Sequence, residues 1–370
     1  MDMDWMAEAT HRAAAMMADA EIHLIRLLAQ QVKAGIRLDP YDIRQVQRLI
    51  DTRDRMTDEL NLRWERIDTE ARRVLAEAST RGMIAADHEI PTGGLGGTML
   101  PDAIRVGVEA IALDTVATIA QIRPIILRTV VDEYQRLVAP SVGQVVSGTL
   151  TTVEATQVAL NRFARQGITG FIDRSGREWR PDAYLEMAVR SGSARAMRYG
   201  WQQTAISRGV DLAKVTGNTY TCPACAPWQG QVISLTGMTP NGRQQVPSTL
   251  DPNVLVWVDV KGSLAEAEAA GLHHPNCTHT ETAYFPGATT TTLPDQRQED
   301  PETYEASQQQ RAAERAIREA LRVQAAAITE GAAREAEQRI LKMQDRIESL
   351  MSEHPKLTRQ WDREQIATAH

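Results

Sequence analysis

Two short stretches of the chain decide how it folds. Residues 220–230 read YTCPACAPWQG, and residues 271–279 read GLHHPNCTH. They contain all 3 cysteines of the 370-residue chain, so a scatter of buried core cysteines does not explain the pattern. A C-x-x-C half-site followed by an H-x-x-C half-site is typical of a metal centre, because a two-residue gap lets a tight turn aim both side chains at one ion.

The sequence predicts a closed, tetrahedral zinc site at this corner. Thiolate sulfur and imidazole nitrogen are the donors that structural zinc prefers. The predicted ligands are Cys222, Cys225, His274 and Cys277. His273 and His279 are substitutes for His274. Four protein ligands leave no position for water, so zinc bound in this way does not imply hydrolysis.

Other interpretations of the same residues stay open. Free cysteine is also a small apolar residue, which would give a metal-free packed corner. A redox or catalytic thiol needs a flanking base, and none is evident. A disulfide between Cys222 and Cys225 would leave one cysteine over, and nothing marks the chain as secreted.

Composition favours a mainly α protein. Ala, Arg, Glu and Gln are abundant, whereas aromatic residues make up only 5% of the chain. The net charge of −7 and the pI near 5.7 argue against a general nucleic-acid coat, which needs an excess of Lys and Arg. We expect no signal peptide and no membrane span, because the most apolar stretch, 104–131, carries charges and a proline.

Apolar residues at three- and four-residue steps predict two long helices at the start of the chain. The first ends near Gly35, and the second begins at Pro40 and follows one apolar stripe to Gly82. Together they predict an N-terminal helical hairpin that, with a Gly-rich joint, forms a unit at residues 1–98.

The rest of the chain divides by texture. Helical patterns predict a bundle at residues 99–166, and a surface linker rich in Thr and Pro is predicted at 287–301. Residues 302–370 predict a long C-terminal helix with a narrow apolar seam, suited to a coiled coil or to a partner and interrupted near Gly331. Between them, residues 167–286 predict a small α+β domain with short strands around the Cys/His corner.

Local signals fill in that small domain. A turn flanked by β-branched and aromatic residues predicts a hairpin at 168–179, and Pro181 is expected to open a helix. Strands are expected at 210–215, 231–235 and 254–260, followed by a short helix at 263–270.

Four motifs in this order resemble the phage minor capsid protein family, which is distantly similar to MuF-type head morphogenesis proteins. The motifs are GITGF with SGREW at 167–179, YLEMAVR at 184–190, the C-x-x-C-x-x-W-x-G run, and the GL-x-HPNC-x-H run. The resemblance spans roughly residues 100–345 and is most specific at 167–285. The chain departs from the family at Thr278, where relatives usually carry Arg.

The resemblance implies a structural virion component made in the bacterial host cytoplasm and located in the capsid interior or at the portal vertex. It implies a role in head assembly, with the portal protein and capsid or scaffold subunits as partners. Self-association through the helices and non-specific contact with packaged DNA are further expectations, and no membrane partner is expected.

Arginines in the small domain are the candidate DNA contacts. The predicted residues are Arg174, Arg177 and Arg180, which would touch phosphates by charge without reading sequence. The alternative is an ordinary solvated face.

A second functional class is an enzyme, either a metal-dependent hydrolase or a toxin-like effector carried in the head. Glu281 is the carboxylate nearest to the ligand turns in sequence, and an open metal position with water beside it would favour hydrolysis. No catalytic constellation is evident, so we expect a protein that is not an enzyme.

Overall fold

The computed structural model describes most of the chain. The described residues are 3–33, 43–90, 101–126, 128, 152–166, 171–172, 176, 178–216, 223–275, 277–289 and 301–365. Over these ranges the protein is mainly helical, with one mixed five-stranded sheet and one two-stranded hairpin, which confirms the predicted fold class. None of the helices in these ranges combines the length and apolar character that crossing a bilayer requires.

The chain folds into two compact units, each assembled from three segments. Unit 1 consists of Met1–Thr10, Ala71–Val116 and Met187–Pro301, and unit 2 of His11–Glu70, Ala117–Glu186 and Glu302–His370. The linear division into residues 1–98, 99–166, 167–286, 287–301 and 302–370 stays a prediction. The Gly-rich joint and most of the predicted linker lie outside the described residues.

The predicted N-terminal hairpin is present. Helix α1 covers Met3–Lys33 and helix α2 covers Ile43–Glu89. Within unit 2 their ion pairs run in opposite directions along the two helices, as antiparallel packing requires. The pairs are Asp19 with Arg63 at 2.5 Å, His23 with Glu59 at 3.7 Å and Arg12 with Glu70 at 3.8 Å. Beneath them lie fully buried Leu24, Ile25, Leu60 and Trp64.

Further helices follow the hairpin in the described part of the chain. They are α3 at Pro101–Ala120, α4 at Thr152–Gln166 and α5 at Pro181–Ser207. Helix α5 begins at the predicted proline. Just before it, β1 at Phe171–Ile172 and β2 at Glu178–Trp179 form the predicted antiparallel hairpin.

Helix α2 does not end at Gly82, as the sequence predicted, but continues to Glu89. An ideal Cβ on Gly82 would lie 1.9 Å from the Met197 carbonyl oxygen of α5, and one on Gly200 would lie 2.4 Å from the Ser79 carbonyl oxygen. The prediction was wrong because glycine serves here to let two helix backbones approach, rather than to end a helix.

The five-stranded sheet of unit 1 carries the Cys/His corner. Its strands are β3 at Leu212–Val215, β4 at Val232–Ser234, β5 at Gly242–Pro247, β6 at Leu255–Ser263 and β7 at Glu281–Ala283, in the order β5-β6-β4-β3-β7. Only β4 and β6 pair in parallel. Strands β3, β4 and β6 confirm the predicted strands, whereas β5 and β7 were not predicted.

A short helix follows the longest strand. Helix α6 at Leu264–Ala269 has a capping box, in which the Ser263 hydroxyl accepts from the Glu266 amide and the Glu266 carboxylate accepts from the Ser263 amide. This helix agrees with the prediction for residues 263–270.

The C-terminal helix is broken. Helix α7 covers Pro301–Ala325 and helix α8 covers Glu330–Glu353, with Thr329 as the N-cap of the second. The break therefore precedes Gly331, which lies inside α8. Buried Ala313 and Ile317 of α7 pack with Ile347 of α8, which confirms an apolar seam. A final turn of helix, α9, covers Trp361–Glu364.

Candidate metal centre

Backbone hydrogen bonds fix the first half of the corner. Residues 223–230 form turns between β3 and β4, in which the Cys225 carbonyl accepts from the amides of Trp228 and Gln229 at 3.0 and 3.1 Å. The Gly230 amide then donates to the carbonyl of Val215 in β3 at 2.9 Å. Cys225 is fully buried as a result.

The second half descends from helix α6 into strand β7. Gly271, with φ of 102°, ends the helix in a conformation that favours glycine, and the Leu272 amide donates to the Ala267 carbonyl at 2.9 Å. The next turn is closed by the Cys277 amide, which donates to the His274 carbonyl at 2.9 Å. This turn buries Cys277.

Three side chains converge between these turns. The Sγ atoms of Cys225 and Cys277 lie 3.6 Å apart, and Nδ1 of His279 lies 3.5 Å from Sγ of Cys277. One donor atom of each residue lies within 4.8 Å of the other two, and all three residues are buried. Cys225, Cys277 and His279 therefore form a cluster that could hold a metal.

These separations match the edges of a zinc tetrahedron. With Zn–S bonds near 2.3 Å and Zn–N bonds near 2.0 Å, tetrahedral angles place two sulfurs about 3.8 Å apart and a sulfur and a nitrogen about 3.5 Å apart. Both observed distances agree with these values. The sulfurs are far beyond disulfide bonding distance, and both cysteines are free thiols.

The histidine of the cluster is held by a second residue. Nε2 of His279 lies 3.1 Å from Oε1 of buried Gln229. Because an amide oxygen can only accept, Nε2 donates in this hydrogen bond, and Nδ1 is the nitrogen that faces the Cys277 sulfur. Outer hydrogen bonds of this kind orient metal-binding histidines.

A second buried histidine lies beside the cluster. Nε2 of His273 is 2.5 Å from Oε1 of Glu281, and its Nδ1 is 3.9 Å from Sγ of Cys277. Burial works to lower the His273 pKa, but the hydrogen bonds with Cys277 and Glu281 outweigh it and raise that pKa. The pKa of Cys277 is lowered, chiefly by its hydrogen bond with Cys225 and then by those with His273 and His279, against burial.

The structure brings together two of the four predicted ligands. Cys225 and Cys277 meet, while Cys222 lies outside the described residues. His274 is not a member of the cluster; its Nδ1 lies 2.8 Å from the Pro275 carbonyl oxygen. The position facing the sulfurs is taken by His279, which the sequence offered only as a substitute.

The predicted DNA contacts are less well placed. Arg174 and Arg177 lie outside the described residues. Arg180 donates from Nη2 to the Arg165 carbonyl oxygen at 2.8 Å, and the same nitrogen lies 3.7 Å from a carboxylate oxygen of Glu319. Its guanidinium thus already has partners within unit 2.

Two features of the centre could not be read from sequence spacing. His279 follows Cys277 by two residues in the segment before β7, a spacing that is not typical of paired zinc ligands. Gln229 is fifty residues away in the chain and carries no metal-ligand signal. The pairing of β3 with both β4 and β7 brings the two turns together.

Comparison with known proteins adds one finding. A family model described as Phage minor capsid protein 2 matches residues 4–352, nearly the whole chain. No curated protein and no solved structure was found to be similar.

Proposed function

The chain belongs to the phage minor capsid protein 2 family, and we propose that it is a structural subunit at the portal vertex of a tailed-phage head. The match over residues 4–352 carries this proposal, since the family consists of structural proteins of the virion. Long helices are compatible with it: α7 and α8 pack on each other through a buried apolar seam, as the helices of structural assemblies do. The portal protein, capsid or scaffold subunits and other copies of the chain are the proposed partners.

The head-assembly role is tested by removing the gene product during infection. We expect purified virions to contain the chain, and cross-linking of intact particles to join it to the portal protein. In its absence, we expect fewer filled heads at normal levels of major capsid protein. Virions that lack the chain altogether would overturn the proposal, and cross-links to capsid subunits alone would move the chain away from the portal.

We further propose that the Cys/His corner holds a structural zinc ion. Cys225, Cys277 and His279 supply three ligands whose separations fit a tetrahedron, and Cys222 supplies the fourth through the C-x-x-C turn. Zinc bound in this way would tie the turn after β3 to the segment before β7. A closed Cys₃His set supports a folding role rather than catalysis.

The ligand assignment is tested by metal content of the full chain. We expect about one zinc per chain in the parent protein and in His274→Ala, and loss of the metal in His279→Ala. The two histidines are five residues apart in the segment before β7, so the pair of variants controls for the loss of a histidine. Retention in His279→Ala with loss in His274→Ala would restore the ligand set predicted from the sequence.

Contact with packaged DNA is a separate proposal, resting on Arg174 and Arg177 with Arg180 beside them. We expect the Arg174→Gln, Arg177→Gln double variant to weaken binding to duplex DNA and to reduce the salt slope by about 2. The matched control is Arg105→Gln, Arg334→Gln, which removes the same charge from two exposed helix positions. Equal losses of DNA affinity in both double variants would show that the effect comes from net charge and not from contacts at Arg174 and Arg177.

A further inference from the structure

His273 combines an unusual backbone conformation with a buried side chain. Its φ of 61° puts it in the left-handed region, and it is the only non-glycine with positive φ among the residues that the structure describes. That conformation costs an L-residue on the order of 1 kcal/mol, which surrounding contacts must offset. The side chain is almost fully buried.

The ring of His273 bridges two groups that can each accept a hydrogen bond. Nε2 faces Oε1 of Glu281 at 2.5 Å, and Nδ1 faces Sγ of Cys277 at 3.9 Å. A metal-bound thiolate and an ionised carboxylate are both acceptors without a hydrogen to donate. The ring thus lies between the two groups, with one nitrogen facing each of them.

His273 does not belong to the ligand cluster itself. The group whose donor atoms lie within 4.8 Å of one another contains Cys225, Cys277 and His279 only. The ring therefore approaches Cys277 from outside the tetrahedron. This is the position of an outer hydrogen-bond partner, like that of Gln229 on the other side.

Charge around the ring supports the same role. Glu281 is buried, with its side chain fully inaccessible, and buried Arg198 lies within electrostatic range of both Glu281 and Cys277. Three thiolates and one zinc ion carry a net charge of about −1, which is costly to bury unless cations lie close to it. Arg198 supplies a cation close to these charges, and Glu281, whose Oε1 lies 2.5 Å from Nε2 of His273, orients the ring.

We propose that His273, oriented by Glu281, is a positioning residue that donates a hydrogen bond to the Cys277 thiolate and thereby retains the metal. The proposal rests on the zinc site proposed above and deepens it. Charge drawn from the sulfur makes the thiolate less reactive towards protons and electrophiles while it stays bound. The bound ion would be a divalent metal cation that prefers sulfur ligands.

The test uses the full chain loaded with Zn²⁺ or Co²⁺. His273→Asn removes the imidazole but keeps a residue that tolerates the left-handed region. We expect it to bind one metal and keep the visible bands of tetrahedral Co²⁺. We also expect a shifted sulfur-to-cobalt charge-transfer band and zinc release to a chelator that is faster by about 10–100-fold. The matched control is His88→Asn, an exposed histidine of the same unit.

Glu281→Gln keeps the shape of the carboxylate and supplies a second variant. We expect a spectral shift in the same direction and a faster zinc release, both smaller than in His273→Asn, because the ring loses its carboxylate partner but remains in place. Parental spectra and release rates in both variants would overturn the role of His273. Loss of the tetrahedral bands in His273→Asn would also overturn it, because it would show that His273 binds the metal directly. Failure of the parent chain to bind metal would instead remove the zinc proposal on which this one rests.

Discussion

The two units each bury a cluster of polar side chains, but the clusters differ in chemistry. In unit 1, soft donors converge from turns: Cys225 and Cys277 are 52 residues apart in the chain. In unit 2, Arg322 of α7 is fully buried and joins two carboxylates, with Nε 2.5 Å from Glu21 of α1 and Nη2 2.8 Å from Asp182 of α5. The unit 1 cluster could hold a metal ion. In the unit 2 cluster the cation is a side chain of the protein itself, Arg322.

This difference decides what each cluster depends on. If the unit 1 cluster holds the proposed zinc ion, its stability depends on metal supply, because the free energy of metal binding then contributes to folding. The Arg322 cluster balances charge within the chain, so it depends on both carboxylates remaining ionised. Chelator and pH are therefore the two agents that separate the units.

The largest effect is expected from removing the thiolates. In the Cys225→Ser, Cys277→Ser variant we expect loss of the metal and a free energy of unfolding lower by more than about 5 kcal/mol. Structural zinc contributes about 10–16 kcal/mol in small zinc-binding peptides. Unit 1 keeps its own apolar core, so the loss should be smaller than in those peptides. Calorimetry of the full chain measures it.

The comparison predicts that only one transition moves. We expect the thiolate variant and chelator-treated parent to lose the same transition, while the transition of unit 2 keeps its midpoint. A variant that melts like the parent without chelator, together with no effect of chelator on the parent, would leave the corner as metal-free packing.

The next effect concerns Arg322. Arg322→Met removes the cation that joins Glu21 to Asp182. Because Arg318 remains 3.6 Å from Asp182, we expect a loss of about 3 kcal/mol, at the lower end of the cost of breaking a buried pair. Adding Glu21→Gln and Asp182→Asn to the same chain should recover part of the loss, because the unpaired charges are then gone. Chemical unfolding of the single and triple variants measures both numbers.

Chelator supplies the control for Arg322. We expect the transition affected in Arg322→Met to be insensitive to chelator, which distinguishes it from the corner. If Arg322→Met lowers the free energy of unfolding by less than about 1 kcal/mol, the buried Arg322 cluster contributes no more stability than an exposed ion pair does.

The fold was largely predictable from the sequence, and the positions of these two clusters were not. Spacing of cysteine and histidine marked the corner because those residues are rare in this chain. Arg322 looked like every other arginine of an Arg- and Glu-rich helix, since its burial depends on Glu21 and Asp182, 301 and 140 residues away. The helix end predicted at Gly82 was wrong for the same reason, because the role of this glycine depends on its tertiary contact with α5.

Acid should act on unit 2 through Asp182. Burial works to raise the Asp182 pKa, but Arg322, Arg318 and Arg180 together outweigh it and leave that pKa well below its ordinary value. A carboxyl group with a depressed folded-state pKa stabilises the fold above its unfolded pKa of about 3.9, and the contribution is lost as pH falls towards the folded value. We expect stability of unit 2 to fall below about pH 4.

Asp182→Asn tests the assignment, because it removes the titrating group. We expect this variant to be less stable at neutral pH and to lose less stability between neutral pH and pH 3 than the parent does. Parallel pH curves for the two proteins would assign the acid sensitivity to other carboxylates.

The smallest effect is expected at the rim of the same cluster. Arg180 is partly exposed and lies 3.7 Å from Glu319, so Arg180→Gln should cost no more than about 1 kcal/mol, as exposed ion pairs do. Its guanidinium already donates to the Arg165 carbonyl oxygen, so we expect Arg180→Gln to change the salt slope of DNA binding less than the Arg174 and Arg177 substitutions. Titrations of duplex DNA at several salt concentrations measure the slope. A slope reduced by about 1 in Arg180→Gln alone would show that Arg180 exchanges its protein partners for phosphate, because each lost phosphate contact lowers the slope by that amount.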